Sequence, residues 1–128
     1  MAHPNEDLLA ETYACFSRGD MPGFLALCDD DIKFDVPGRT PFSGTHTKAD
    51  FAAWIGKVME ISNGTFGERP VHLIANDDYG VAILEHWLER EGRRIEYRTD
   101  HIWQFRNGKL SAWEERPGNE AEFNRAWS

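Results

Sequence analysis

Two predicted hairpins near the carboxyl end of the chain constrain its fold more than any other stretch. Asn107-Gly108 is a strong signal for a two-residue hairpin, because both positions of a type I′ turn need positive φ. Glu91-Gly92 marks an earlier turn between alternating segments at 81–90 and 93–106. A further alternating segment occupies 109–116. We therefore expect three consecutive antiparallel strands in this half of the chain.

Opposite charges indicate the register of the first hairpin. Pairing Glu89 with Arg94 and Glu85 with Arg98 places two opposite-charge pairs on one face of the sheet. Directly opposed residues share a face, and side chains alternate along each strand. The other face then carries a mostly apolar set that also includes two histidines, a tyrosine and a threonine: Leu84, His86, Leu88, Ile95, Tyr97, Thr99 and His101.

The second hairpin predicts a histidine opposite a carboxylate on that same face. Counting back from the Asn107-Gly108 turn without interruption pairs His101 with Glu114. Asp100 and Glu115 then oppose each other on the outer face. A slip of one residue would bring these two inward, since the side-chain period of a strand is two.

The first half of the chain is mainly helical in its periodicity. Helices are predicted over 5–18, from Asp20 onward and from Thr47 onward, with a strand at 32–36 and a loop across 38–47. Pro70 makes the strand predicted over 65–76 an edge or bulged strand. Asn119 begins a short C-terminal helix. This order predicts a single α+β domain over residues 1–128, with helices packed on one face of a curved sheet.

Charge and hydropathy exclude several classes of partner. The chain has 14 basic and 22 acidic side chains, a formal charge of −8, and no basic cluster. Binding to nucleic acid or to an anionic membrane is therefore not expected. No apolar run reaches the roughly 20 residues of a membrane span, and the first residues lack the order of a signal peptide. We expect a cytoplasmic protein.

Several short segments carry a resemblance to a known family. They are Arg18-Gly19-Asp20, Asp30-Asp31-Ile32, Val36-Pro37-Gly38 with Ser43-Gly44-Thr45, and the run from His101 to Leu110. With the element order, they resemble the nuclear transport factor 2-like fold, and within it the SnoaL-like and ketosteroid-isomerase-related proteins. The resemblance implies a cone-shaped, curved antiparallel sheet wrapped by three N-terminal helices, with a short C-terminal helix. It also implies an apolar pocket and, commonly, a homodimer through the outer sheet face.

The resemblance carries over unevenly to individual catalytic positions. Where ketosteroid isomerases place their general base, just before the proline that ends the first strand, this chain has Val36, with Asp35 one residue earlier. A gapless match puts Asp100 at the place of their oxyanion-binding aspartate, and one residue less in the hairpin puts His101 there. Asp35 and Asp100 are thus alternative catalytic residues, and classical steroid isomerase activity is not expected.

The residues on the predicted inner face suggest acid-base chemistry. A carboxylate opposite an imidazole can orient one ring nitrogen and leave the other to transfer a proton. We assign catalytic roles to His101, Glu114 and Tyr97. Further residues are expected to contact an apolar substrate: Tyr13, Phe34, Trp54, His86, Thr99 and Trp103. No metal-ligand or nucleotide signature is present in the sequence, so no cofactor is expected.

These observations predict a small-molecule pocket protein, a cofactor-free isomerase, cyclase or dehydratase acting on an apolar carbonyl compound. The alternatives are a non-catalytic protein that binds a hydrophobic ligand, and an assembly module that uses its outer sheet face. That outer face is predicted to be an apolar patch that forms a homodimer. Its residues are Val81, Ile83, Trp87, Ile102 and Trp113.

Overall fold

Four helices and six strands follow one another in the computed structural model, which describes residues 3–128. Residues 1 and 2 of the predicted domain lie outside the described residues. The elements are α1 (Pro4–Ser17), α2 (Met21–Leu27), β1 (Cys28–Val36), β2 (Gly44–Thr47), α3 (Phe51–Ser62), β3 (Gly67–Ala75), β4 (Tyr79–Arg90), β5 (Arg93–Arg106), β6 (Lys109–Pro117) and α4 (Glu120–Trp127).

The six strands form one curved sheet in the order β2-β1-β6-β5-β4-β3. Neighbouring strands are antiparallel except β1 and β6, which pair in parallel. The predicted α+β class, with three N-terminal helices and a short C-terminal helix, is confirmed. The parallel pair was not predicted, because it joins segments about 80 residues apart through no local turn.

The predicted caps of α2 and α4 are present, whereas α3 begins at Phe51, after Asp50, and not from Thr47 as predicted. The Asp20 side chain accepts a hydrogen bond from the Gly23 N–H and begins α2, as Asn119 does for α4 through the Glu122 N–H. Asn63 ends α3 in the left-handed conformation, with φ of 54°. These helix ends are therefore determined by residues that are close in sequence and need no tertiary contact.

Two predictions about strands upstream of the hairpins were wrong. The first strand begins at Cys28 rather than at residue 32, since pairing with β6 extends it through the three consecutive aspartates. The predicted loop across 38–47 contains β2, whose Gly44–Thr47 backbone pairs with the 33–36 end of β1. In both places strand pairing overrides a composition that favours turns.

The register of β4 and β5 is as predicted. Glu89 pairs with Arg94 and Glu85 with Arg98, and the pairing continues without interruption to Tyr79 and Gln104. Pro70 lies beside a register shift in β3, which is an edge strand. The inner face of β5 therefore carries the buried side chains Tyr97, Thr99, His101 and Trp103.

The predicted register of β5 and β6 was wrong by one residue beyond the turn. Phe105 pairs with Leu110 as expected, but Gln104 pairs with Ala112, so Ser111 is an extra residue on β6. This bulge reverses which side chains of β6 face inward. His101 is paired with Glu115 instead of Glu114, and Trp113 lies inside the fold rather than on the outer patch.

Aromatic side chains fill the space between the helices and the sheet. Phe24 of α2 packs against Phe51 of α3 with ring centroids 4.7 Å apart, and Phe51 in turn packs on Phe34 of β1 at 5.0 Å. Trp54 lies 5.3 Å from Trp113 between α3 and β6. These contacts hold α2 and α3 over the inner face of the sheet, where a cavity is enclosed.

Candidate functional site

A cavity of about 790 Å³ lies between the helices and the inner sheet face. Its walls are largely aromatic, which suits an apolar ligand of drug-like size. All four helices and all the strands except β2 contribute residues to its walls. Among the ring-bearing residues of the wall are Tyr13, Phe24, Phe34, Phe51, Trp54, Trp103, Trp113 and Trp127.

Four ionisable side chains, one from each of four strands, lie close together in this apolar wall. Glu68 comes from β3, His86 from β4, His101 from β5 and Glu115 from β6. The two histidines and Glu115 are buried, and the Glu68 side chain is 16% exposed. Neighbouring strands present inward-facing residues side by side, so residues distant in sequence form one polar cluster.

Glu115 is a buried carboxyl with few polar neighbours. The Thr99 hydroxyl donates a hydrogen bond to its Oε2 over 3.0 Å, and the Nδ1 atom of His86 lies 3.9 Å from the same oxygen. Burial raises the pKa of Glu115, and the nearby His86 and the Thr99 hydrogen bond only partly oppose that effect. A carboxyl in such surroundings holds its proton more strongly than one in water and is a stronger base when ionised.

His101 is held by a phenol that is itself held by an indole. The hydroxyl of Tyr13 lies 2.7 Å from His101 Nδ1, and the Trp103 indole N–H donates to the Tyr13 oxygen over 3.1 Å. Burial lowers the pKa of His101 well below its ordinary value, and the neighbouring His86 lowers it further. His101 is therefore a neutral imidazole at physiological pH.

His86 has a matching arrangement on the adjacent strand. The Tyr97 hydroxyl lies 3.0 Å from His86 Nδ1, and the Trp127 indole N–H donates to the Tyr97 oxygen over 2.8 Å. Burial raises the pKa of both Tyr13 and Tyr97, so both phenols keep their protons. The two histidine rings lie 5.3 Å apart between centroids.

Most residues predicted to contact a substrate lie in the cavity wall. Tyr97 and His101, to which we assigned catalytic roles, are there, and so are Tyr13, Phe34, Trp54, His86 and Trp103. Thr99 is buried behind Glu115, to which it donates its hydroxyl hydrogen. The inner face of β5 thus holds His101, and Asp100 next to it is not part of the wall.

Three predicted acidic residues lie away from the cavity wall. Glu114 is displaced to the outer face by the Ser111 bulge and forms an ion pair with Arg116 at 2.9 Å. Asp35 is exposed and accepts a hydrogen bond from Thr45. Asp100 is half-buried on the outer side of β5, where Arg116 is its strand partner on β6. The predicted pair of His101 with Glu114 is corrected to His101 beside Glu115.

Sequence reasoning missed Glu68, Glu115 and Trp113 as cavity residues. The inward position of Glu115 and Trp113 depends on one bulged residue, Ser111, and the apolar alternation of β6 gives no sign of it. Glu68 pairs with His86 across β3 and β4, and this pairing could have been counted from the predicted edge strand. The register shift near Pro70 obscures that count.

Three of these side chains are close enough to share a metal ion. Glu68, His86 and His101 offer ligand atoms within 4.8 Å of one another. Two imidazoles and one carboxylate are a ligand set that divalent transition metals accept. Whether the imidazole nitrogens are free to bind a metal depends on where their protons lie.

Nothing in residues 3–128 is suited to crossing a membrane as a helix. The described helices are all too short or too polar for that.

Solved structures with the same fold cover nearly the whole chain. Bal32a, from a soil-derived mobile gene cassette, is 26% identical with a TM-score of 0.91, covering 99% of this chain and 98% of its own. An NTF2-like protein of Burkholderia pseudomallei is 23% identical with a TM-score of 0.84, covering 98% of each chain. TerC, co-crystallised with polyporic acid, is 21% identical with a TM-score of 0.85, covering 97% of this chain and 98% of its own.

These similarities confirm the nuclear transport factor 2-like fold. The family model for the SnoaL-like domain matches residues 9–113, which run from within α1 through β5 to the first residues of β6. The matched range contains all the cavity residues of the sheet except Glu115. The chain therefore belongs to the SnoaL-like domain family.

Proposed function

We propose that this protein is a cofactor-free acid-base catalyst that acts on an apolar carbonyl compound, by isomerisation, cyclisation or elimination of water. The observation that carries the proposal is the position of Glu115, a buried carboxyl with a raised pKa in the wall of a large aromatic cavity. Titratable groups with perturbed pKa values in such a cavity are the usual signature of proton-transfer sites.

The proposed reaction begins with Glu115 ionised. Its carboxylate removes a proton from the carbon next to the substrate carbonyl, so that a C–H bond breaks and an O–H bond forms on Glu115. The electron pair of the C–H bond moves into the substrate and leaves an enolate. Return of the proton from Glu115 to a different atom of the substrate completes an isomerisation. In a cyclisation the enolate carbon attacks a second carbonyl, and Glu115 gives its proton to the alkoxide that forms. In an elimination the bond from the β-carbon to a hydroxyl group breaks, and that group takes the proton from Glu115 and leaves as water.

The cavity supports this chemistry through its apolarity. Water is largely kept from Glu115, which is 7% exposed, and this strengthens its interaction with charge that develops nearby. Flat aromatic walls such as Trp54, Trp103 and Trp113 suit a ring-bearing substrate. TerC, which shares the fold, was crystallised with the small molecule polyporic acid, and this agrees with a ligand-binding role for the cavity.

A thermal-shift screen followed by turnover assays tests the proposal. Hydrophobic ketones, aromatic polyketide-like compounds and steroids are added to wild type, Glu115→Gln and Glu114→Gln. A ligand at a hundred times its dissociation constant should add about 2.7 kcal/mol to the stability of all three proteins. Turnover should fall at least about 100-fold in Glu115→Gln only, because only that variant loses the proton carrier.

Two results would contradict the proposal. Equal turnover in wild type and Glu115→Gln would remove Glu115 from the chemistry. Saturable binding with no turnover of any bound ketone would favour the alternative of a non-catalytic ligand-binding protein. Glu114→Gln is the matched control, since it makes the same chemical change one residue away on the outer face.

A further inference from the structure

Two buried imidazole nitrogens in the cavity wall have no hydrogen-bond partner. They are the Nε2 atoms of His86 and His101, side chains that are only 3% and 4% exposed. Glu68 Oε2 lies 3.0 Å from His86 Nε2, but it is not in line for a hydrogen bond. Buried polar atoms are nearly always paired in folded proteins, so two such atoms on adjacent strands call for a partner within the cavity, either water or a ligand that displaces it. The identity of that ligand depends on whether these nitrogens carry hydrogen.

The chain of contacts behind His101 determines its proton position. An indole N–H can only donate, so the Tyr13 oxygen accepts from Trp103 and still has its own hydrogen to place. His101 Nδ1, at 2.7 Å, is the acceptor within reach among the described residues. Nδ1 therefore accepts, and the single proton of the neutral ring lies on Nε2.

The chain behind His86 leads to the same result. Trp127 donates to the Tyr97 oxygen, and the Tyr97 hydroxyl hydrogen is directed to His86 Nδ1 at 3.0 Å. The neutral ring then carries its proton on Nε2, and a doubly protonated ring carries one there as well. Each histidine thus presents an Nε2–H donor to the cavity, and a phenol backed by an indole holds the Nδ1 side of each ring.

The positions of these ring protons decide whether the two histidines bind a metal ion or the oxygen of a ligand. A metal ion at Glu68, His86 and His101 would need both Nε2 atoms bare, which moves the ring protons to Nδ1. Tyr13 and Tyr97 would then each accept two N–H groups, and neither hydroxyl hydrogen would have an acceptor among residues 3–128. An acceptor oxygen needs no such rearrangement, so the hydrogen bonds favour oxygen over metal.

We propose that the Nε2–H groups of His86 and His101 together bind the carbonyl or enolate oxygen of the ligand, with Tyr13 and Tyr97 as the positioning residues that fix both ring tautomers. This inference rests on the proposed function. When Glu115 accepts the substrate proton it becomes neutral, and the negative charge passes to the substrate oxygen. Two fixed donors stabilise that charge without reorganising. The ligand class is therefore a ketone or enone that can form an enolate.

Histidine ¹⁵N NMR of the intact protein tests the tautomers without any ligand. We expect both rings to show a protonated Nε2, and His101 to show a bare Nδ1. Tyr13→Phe should shift the His101 signals toward a mixture of tautomers, while Tyr79→Phe, whose ring is 54% exposed, should leave both rings unchanged. A neutral ring with its proton on Nδ1 in the wild type overturns the proposal.

Zinc and a ketone then test the occupant. Added Zn²⁺ should give no stoichiometric change in either ring, and a 1:1 complex that is lost in His86→Ala would overturn the choice of oxygen over metal. Saturating 2-acetonaphthone should move the Nε2–H signals of both rings downfield. Signals that stay in place at every soluble concentration of the ketone overturn the ligand assignment. A ketone that moves both signals but is never turned over refutes the catalytic proposal and leaves this one standing.

Discussion

At the scale of single residues, the proposed proton transfer depends on the different surroundings of Glu115 and Glu114. Glu115 is buried in the cavity wall, whereas Glu114 is paired with Arg116 on the outer face. The same side chain at adjacent positions therefore has different consequences for stability, and Glu115→Gln and Glu114→Gln are a matched pair of substitutions.

The first prediction is that Glu115→Gln is more stable than wild type above neutral pH. Burial penalises the ionised carboxylate, and glutamine keeps an oxygen that can accept from Thr99. Because the folded-state pKa is raised, the wild type loses stability as pH rises from about 4.5 through that pKa, and the variant does not share this loss. Urea unfolding between pH 5 and 8 measures the difference.

The control for that comparison is Glu114→Gln. This change lies on the surface and should alter the unfolding free energy by no more than about 0.5 kcal/mol. If Glu115→Gln proves no more stable than wild type at pH 8, or if the two glutamine variants behave alike, the burial assigned to Glu115 is wrong.

The second prediction concerns acid. His101 is neutral in the fold because burial lowers its pKa, whereas in the unfolded chain it binds a proton near pH 6.5. Below that pH the unfolded state takes up more protons, so stability falls as pH falls, by up to about 1.4 kcal/mol per pH unit from this group. The titratable groups that face it are Tyr13, His86 and Glu68, and Glu115 is its strand partner on β6.

His101→Gln isolates this contribution. The variant retains the Glu115 effect, which has the opposite sign in part of the same range, but lacks the imidazole. Subtracting its pH profile from that of wild type between pH 7.5 and 5 should leave a slope of the stated sign. A flat difference would mean that His101 is solvated or charged in the folded state.

At the scale of elements, the limits of sequence prediction lie in the pairing of strands. The β4–β5 register follows from charge pairs such as Glu85 with Arg98, which lie within one hairpin and can be identified in the sequence. The predicted β5–β6 register is wrong beyond Ser111. A bulge there depends on the packing of Trp113 and on pairing with the distant strand β1, and neither can be counted from the hairpin. Helix ends at Asp20 and Asn63 were predictable, since capping depends on neighbouring residues alone.

A third prediction tests how closely α1 packs on β4. A Cβ added at Gly80 would lie 2.7 Å from the Phe105 ring and 2.8 Å from a Leu9 methyl group. Gly80→Ala should therefore cost about 1–3 kcal/mol, the usual penalty for overpacking a filled core. Chemical denaturation measures it.

Gly56→Ala is the control for that substitution. Gly56 lies within α3 and has open space around its added Cβ, so alanine should stabilise the helix by about 0.5–1 kcal/mol. Equal effects of the two alanines would show that α1 does not pack on Gly80 as described.

At the scale of the whole molecule, the inner face of the sheet was predicted better than the outer one. His86, Tyr97 and His101 were placed together from alternation alone, and the structure puts all three in the cavity wall. Trp113 was assigned to the outer patch and belongs inside, and Trp87 is covered by the Arg94 guanidinium at 5.5 Å. The outer patch is therefore reduced to half-buried Val81, Ile83 and Ile102.

We still propose a homodimer through this reduced patch, which gives the fourth prediction. Sedimentation velocity at micromolar concentration should show a dimer for wild type, and Ile102→Glu should shift the population to monomer by placing a charge in the patch. Ala53→Glu, at an exposed position of α3 that does not line the cavity, is the control. A monomeric wild type would contradict the proposal without affecting the cavity.

The most direct test of the central claim is deuterium incorporation into a bound ketone. Wild type, Glu115→Gln and Glu114→Gln are incubated in D₂O with a ketone that stabilises all three, and ¹H NMR follows the hydrogens next to the carbonyl. We expect exchange that is fast with wild type and Glu114→Gln and at least about 100-fold slower with Glu115→Gln. Exchange at the same rate with all three proteins, or with none of them, would contradict it.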